Sequence, residues 1–160
     1  ARAGKAGIYR RWSSMPALVR EAVSRFDLVP VPDDTGSLRG DLLALLERWT
    51  EPLDRQERAT AAIVGAARFE DDLRAALDAA VVAPLTAAVT EIGQRALQRE
   101  EVLDAGRLLL LGSVLEAFWW QRFTATGDGA MEFDRVLRVV DDVLLPAAGL
   151  PAGAAEGAVV

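Results

Sequence analysis

The sequence predicts an all-α fold, and three observations carry that prediction. Apolar residues recur at helical spacing over long stretches. Leu38, Leu42, Leu45 and Trp49 fall at i, i+4, i+7 and i+11, and Leu73, Leu77, Val81, Leu85, Ala88 and Ile92 repeat the pattern further on. No segment alternates apolar and polar residues convincingly enough for a strand. Serine, proline and glycine punctuate the chain at distances that suit helices and the turns between them.

The elements follow in order. Ser14 is placed to cap a helix running to Phe26, with Pro16 in its first turn, where a missing N–H costs nothing. Leu18, Val19, Ala22, Val23 and Phe26 mark its buried face. Residues 29–37 hold two prolines, a glycine and no helical period, so they read as an extended connector. Ser37 caps the next helix, whose Leu43 and Leu46 widen the Leu38–Trp49 stripe, and Pro52 ends it. A helix over residues 53–68 should bury Ala59, Ala62, Ile63 and Ala66.

A long helix over residues 70–99 opens with Glu70, Asp71 and Asp72 at the positive end of its dipole. Pro84 should kink it by removing a backbone bond and crowding the preceding turn. Residues 108–123 are apolar nearly all round, which predicts burial on more than one side. Gly127-Asp128-Gly129 signals a turn. The last helix, residues 131–145, carries Phe133, Val136, Leu137, Val140, Val143 and Leu144 on one side and should stop at Pro146. The Ala/Gly-rich tail 149–160 is expected to be mobile.

Composition bounds the function. Half the residues are apolar (51%), enough for a sizeable core and too many for a disordered chain. No uninterrupted apolar run reaches the roughly 18 residues of a membrane span, and the amino terminus lacks a signal-peptide core, so a cytoplasmic location without membrane contact is expected. The chain has no cysteine and no histidine, which removes disulfides, thiolate nucleophiles and imidazole bases or ligands. Its serines lack a nucleophile-elbow context, and no glycine-rich phosphate loop follows a strand. Asp71-Asp72 and Asp141-Asp142 are neighbours about 100° apart on a helix, a solvated face rather than a converging pair. Neither an enzyme, nor a metal, nor a cofactor is expected.

The net charge of −6 is unevenly spread. Residues 1–25 hold six bases and one acid, whereas the rest holds 12 bases and 23 acids. A basic head on an acidic body suits a DNA-reading module joined to a body with other work. The head reads Lys5-Ala6-Gly7-Ile8-Tyr9-Arg10-Arg11-Trp12, breaks at Ser13-Ser14 and resumes as a helix.

From Ala1 to Leu18 this order closely resembles the recognition-helix segment of TetR-family transcriptional regulators. The resemblance is moderate at residues 36–46 and 122–143 and rests elsewhere on helix order and length. It implies a TetR-like helical bundle: the end of a helix-turn-helix domain (1–26), a linker (27–37), a five-helix ligand-binding and dimerisation body (38–148) and the tail. Lys5, Gly7, Tyr9 and Arg10 match positions that approach DNA, and Trp12 one that packs at the helix end. Gly7 replaces the family's usual threonine and Met15 its usual phosphate-binding lysine. Ala1-Arg2-Ala3-Gly4 meets Lys5 two residues short of the usual turn, so intervening and upstream residues of a longer protein are expected.

The resemblance further implies a homodimer through the last two helices, here Leu111, Leu115, Phe133, Val136, Leu137, Val140 and Leu144. It implies a double-stranded DNA operator and repression relieved by a small hydrophobic or aromatic ligand. That ligand should sit among Trp49, Ile63, Phe69, Ala88, Ile92, Phe118, Trp119 and Trp120, with Glu116 or Gln121 as polar anchor. The alternative is a helical dimeric scaffold in which these aromatics are core or subunit contact and Glu116 lies at the surface.

Overall fold

A computed structural model of the chain describes residues 12–101 and 104–151, and their regular structure is all helical, with no strand among them. Helix α1 (Met15–Val23) starts where Ser14 accepts the Ala17 N–H at 3.2 Å. Trp12 precedes it and donates its indole N–H to Glu21 at 2.6 Å. The connector is extended but not loose. Leu28 and Val29 are buried in the body, and Arg95 donates to the Pro32 carbonyl at 2.9 Å.

Helix α2 (Leu38–Leu46) begins with the Ser37 hydroxyl accepting from Gly40 and tightens into a 3₁₀ turn, Glu47–Thr50, before Pro52. Its expected stripe is buried, Leu38, Leu42, Leu45 and Trp49 all being inaccessible. Helix α3 (Arg55–Ile63) is shorter than the sequence suggested and faces another way. Asp54 and Glu57 form a reciprocal capping box at 2.8 and 2.9 Å, which sets the start. Glu57 and Thr60 turn inward while Ala59, Ala62 and Ala66 are exposed. The physical reason is Arg122, whose buried guanidinium needs the Glu57 carboxylate and so rotates the polar edge of α3 into the protein.

Helix α4 (Asp71–Gln98) is the longest and contacts α1, α2 and the next helix. Among the described residues it alone is long and apolar enough to cross a membrane, although its scattered charges leave no uninterrupted apolar run of that length. Its apolar side, from Leu73 through Ala96, is packed against protein, and Arg74, Asp78, Thr86, Thr90 and Gln94 cover the other. Pro84 is accommodated by a π-helical turn, Asp78–Val82, in which the Ala83 N–H reaches back to the Asp78 carbonyl. The wider turn relieves the clash between the proline ring and the carbonyl behind it.

Helix α5 (Ala105–Thr124) is capped by Asp104 on the Gly106 N–H and buries Leu111, Leu115, Trp119 and Phe123 at a four-residue spacing. It is not buried all round, for Leu109 and Leu110 are exposed. Helix α6 covers residues 133–148, in three consecutive pieces: Phe133–Val139, a π turn Val140–Leu144 and Leu145–Ala148. Pro146 therefore does not stop it. The π turn admits this proline as the first admits Pro84, and the helix ends at Gly149. There φ is +94° and the Leu150 and Gly149 N–H groups bond the Leu145 and Pro146 carbonyls, a left-handed cap that glycine adopts without steric cost.

Candidate functional site

The four proposed DNA contacts, Lys5, Gly7, Tyr9 and Arg10, lie outside the described residues. The described body contains the rest of the expected site residues, and it separates them into groups with different environments.

The aromatic centre is closed. Trp49 and Trp119 meet edge to face at 5.4 Å, and Phe118 lies 6.2 Å from Trp49. Trp49, Ala88, Ile92 and Trp119 are inaccessible and belong to the main core. Phe69 is 85% exposed on the turn before α4. Ile63 and Trp120 are half-buried against the core. Large aromatic rings at helical spacing fill this part of the interior.

A cleft lies between α4 and α5. It has a volume of about 460 Å³ and is open to solvent. From α4 come Leu85, Thr86, Val89, Thr90 and Gln94, and from α5 come Leu108, Leu109, Gly112, Ser113 and Glu116. Each helix thus gives pairs of adjacent residues one turn apart, which is the pattern of two helices facing each other across a gap. One boundary is fixed by Gly93, where a Cβ would meet a Leu108 methyl at 2.8 Å. Glycine here brings the two helices into direct contact.

Of the sequence-derived ligand residues, Glu116 lines this cleft. It is half-buried, and one carboxylate oxygen accepts the Trp120 indole N–H at 3.1 Å. Glutamate is the cleft's one charged lining residue, and it forms no ion pair among the described residues. The α4 wall was missed from sequence. Thr86 and Thr90, one turn apart in the otherwise apolar stretch 79–90, were the signal that could have found it.

Gln121, the alternative anchor, borders a smaller cavity of about 160 Å³ with Trp49, Arg122 and Met131. Arg122 has no donor left for a ligand there. Its five N–H groups go to Glu57 and to the carbonyls of Trp49, Glu51 and Gly129, so it binds the end of α5 to α3 and to the loop before α6.

A second polar node joins the connector to the end of α4. Fully buried Asp41 accepts from the Thr35 N–H and hydroxyl at 2.8 and 2.7 Å and from Arg99 at 2.9 Å. Burial pushes its carboxyl up, but those hydrogen bonds and the Arg99 charge outweigh burial and hold it below the ordinary value of 3.8. Arg99 also meets Asp34 at 2.7 Å, and Glu101 accepts the Leu38 N–H at the start of α2. Glu101 is aimed by Glu100, whose φ of +60° turns the chain at the end of α4.

The expected subunit contacts need correcting. Leu111, Leu115, Val136, Val140 and Leu144 are buried within the protomer and cannot also face a partner. Phe133 is exposed and Leu137 half-buried. The apolar surface left open on these two helices is Leu109, Leu110, Phe133 and Val143, with half-buried Val114 and Phe118 beside them.

Residues 32–143 match the family described as "Tetracyclin repressor-like, C-terminal domain". Over 147 residues the chain is 32% identical to proteins described as HTH-type transcriptional regulators of Mycobacterium bovis and Mycobacterium tuberculosis, covering 91% of this chain and 72% of each relative. No solved structure matches significantly.

Proposed function

The chain belongs to the TetR-like family of transcriptional regulators, and from that premise we propose that it is a ligand-responsive repressor acting as a homodimer on a palindromic operator. The observation that supports this reading best is the double use of α4. Its first turns carry α1, the helix that follows the DNA-side segment, through side-chain packing and the Arg20–Asp72 pair at 2.9 Å. Its later turns, beyond the π segment Asp78–Val82, form one wall of the cleft. A ligand that spreads or draws together α4 and α5 acts on the same helix that supports α1.

Recognition helices of such a dimer must lie about 34–36 Å apart to enter successive major grooves. A small change in the tilt of α1 alters that spacing, so the ligand selects between two dimer states with different operator affinity. The salt bridge to Asp72 is too exposed to carry the coupling alone, so packing must do most of it.

The test is fluorescence anisotropy of the full-length protein on its own upstream DNA. Salt-dependent binding of a dimer, weakened when the cleft is filled, is the expected result. A dimer that binds no DNA under any condition would leave the scaffold reading, which the closed Trp49–Trp119 centre favours, as the better account.

A further inference from the structure

We infer that the cleft between α4 and α5 takes a lipophilic amine in its cationic form, with Glu116 as counter-ion. The inference rests on the cleft being the ligand site proposed above, and it follows from how the polar lining groups are already engaged. The Thr86 hydroxyl donates to the Val82 carbonyl at 2.8 Å, the Thr90 hydroxyl to the Thr86 carbonyl at 2.7 Å and the Ser113 hydroxyl to the Leu109 carbonyl at 3.0 Å. All three hydroxyl protons are spent on the helices, and each oxygen keeps a lone pair free to accept.

Glu116 offers only acceptors, and its bond from Trp120 leaves the second carboxylate oxygen open. Gln94 holds the remaining side-chain donors in the lining. Backbone N–H groups at these positions lie inside helices and are bonded there. The remaining walls are Leu85, Val89, Leu108, Leu109 and Gly112. A carboxylate or phosphate ligand would meet one negative charge, three acceptors and almost no donor. An ammonium on an apolar body would find a charge partner, acceptors on both helices and aliphatic walls.

Three probes with one rigid body separate the possibilities: 1-adamantylammonium, 1-adamantanol and adamantane-1-carboxylate. Binding to the full-length protein is read by titration calorimetry and by the emission of Trp120, whose indole shares Glu116 with the ligand. The ammonium should bind, the alcohol more weakly and the carboxylate not at all. Glu116→Gln keeps an acceptor for Trp120 and should weaken the ammonium about ten- to a hundredfold while leaving the alcohol unchanged. Ser113→Phe, at an exposed position, should block all binding by filling the cleft.

Equal affinity for all three probes, abolished by Ser113→Phe, would keep the ligand site and overturn the amine assignment. Ammonium binding that Glu116→Gln does not alter would overturn it as well. If Ser113→Phe instead yields a monomer in sedimentation and leaves ammonium affinity untouched, the cleft is a subunit contact, and both readings fall.

Discussion

Arg122→Met should be among the most damaging single changes in the body. The guanidinium and the Glu57 carboxylate are 2% and 3% exposed, so removing the arginine strands a negative charge inside the protein. Breaking a buried pair from one side costs about 3–5 kcal/mol. The carbonyls of Glu51 and Gly129 lose their donor as well, whereas the Trp49 carbonyl keeps the Met131 N–H at 2.7 Å. Against a total stability of about 5–15 kcal/mol this is a large fraction. At roughly 2–4 °C per kcal/mol for a domain of this size, the melting temperature should fall by about 6–20 °C.

The companion variant separates charge from packing. Arg122→Met with Glu57→Leu removes both charges, and such replacements are often neutral. It still loses the Glu57 half of the capping box, which costs about 1 kcal/mol. The double variant should therefore be more stable than Arg122→Met alone, with a coupling of about 2 kcal/mol or more in the four-variant cycle. Urea unfolding, with midpoints and slopes compared across the four proteins, is the assay. A loss below about 1 kcal/mol for Arg122→Met, or strict additivity in the cycle, would refute the claim that this pair locks α3 to α5.

Two further predictions follow from burial and titration. Leu110→Asp, on the exposed face of α5, should give a folded monomer in sedimentation, whereas Val136→Asp should unfold the protein, because Val136 is 1% exposed within the protomer. An intact dimer in the Leu110 variant would place the interface elsewhere. Asp41 has a folded pKa below its ordinary 3.8, so its contribution is present above that value and is lost as pH falls through the lower, folded value. Asp41→Asn should therefore destabilise the protein at neutral pH and converge with the parent in acid, and a constant gap across the pH range in denaturant titrations would contradict this.

The sequence by itself determined what is local. Ser14 and Ser37 cap because a hydroxyl placed before a helix can reach the N–H groups that the first turn leaves free. The stripe Leu38–Leu42–Leu45–Trp49 and the longer one from Leu73 to Ile92 are buried because one helix face can be hidden at a time, and periodicity names that face. The all-α class and the family followed from these and from the ordered basic-aromatic segment at the amino terminus.

Only the tertiary structure decided where periodicity is silent or is overruled from a distance. Helix α5 is apolar on most sides, so its sequence could not say that Leu111, Leu115 and Trp119 turn inward and Leu109 and Leu110 outward. The direction of α3 depended on Arg122, a partner 65 residues away. Pro84 and Pro146 sit inside helices because π turns, stabilised by surrounding packing, make room for them. The cleft exists because α4 and α5 touch at Gly93 and stand apart beside it, and the gap between two helices is a property of neither one alone.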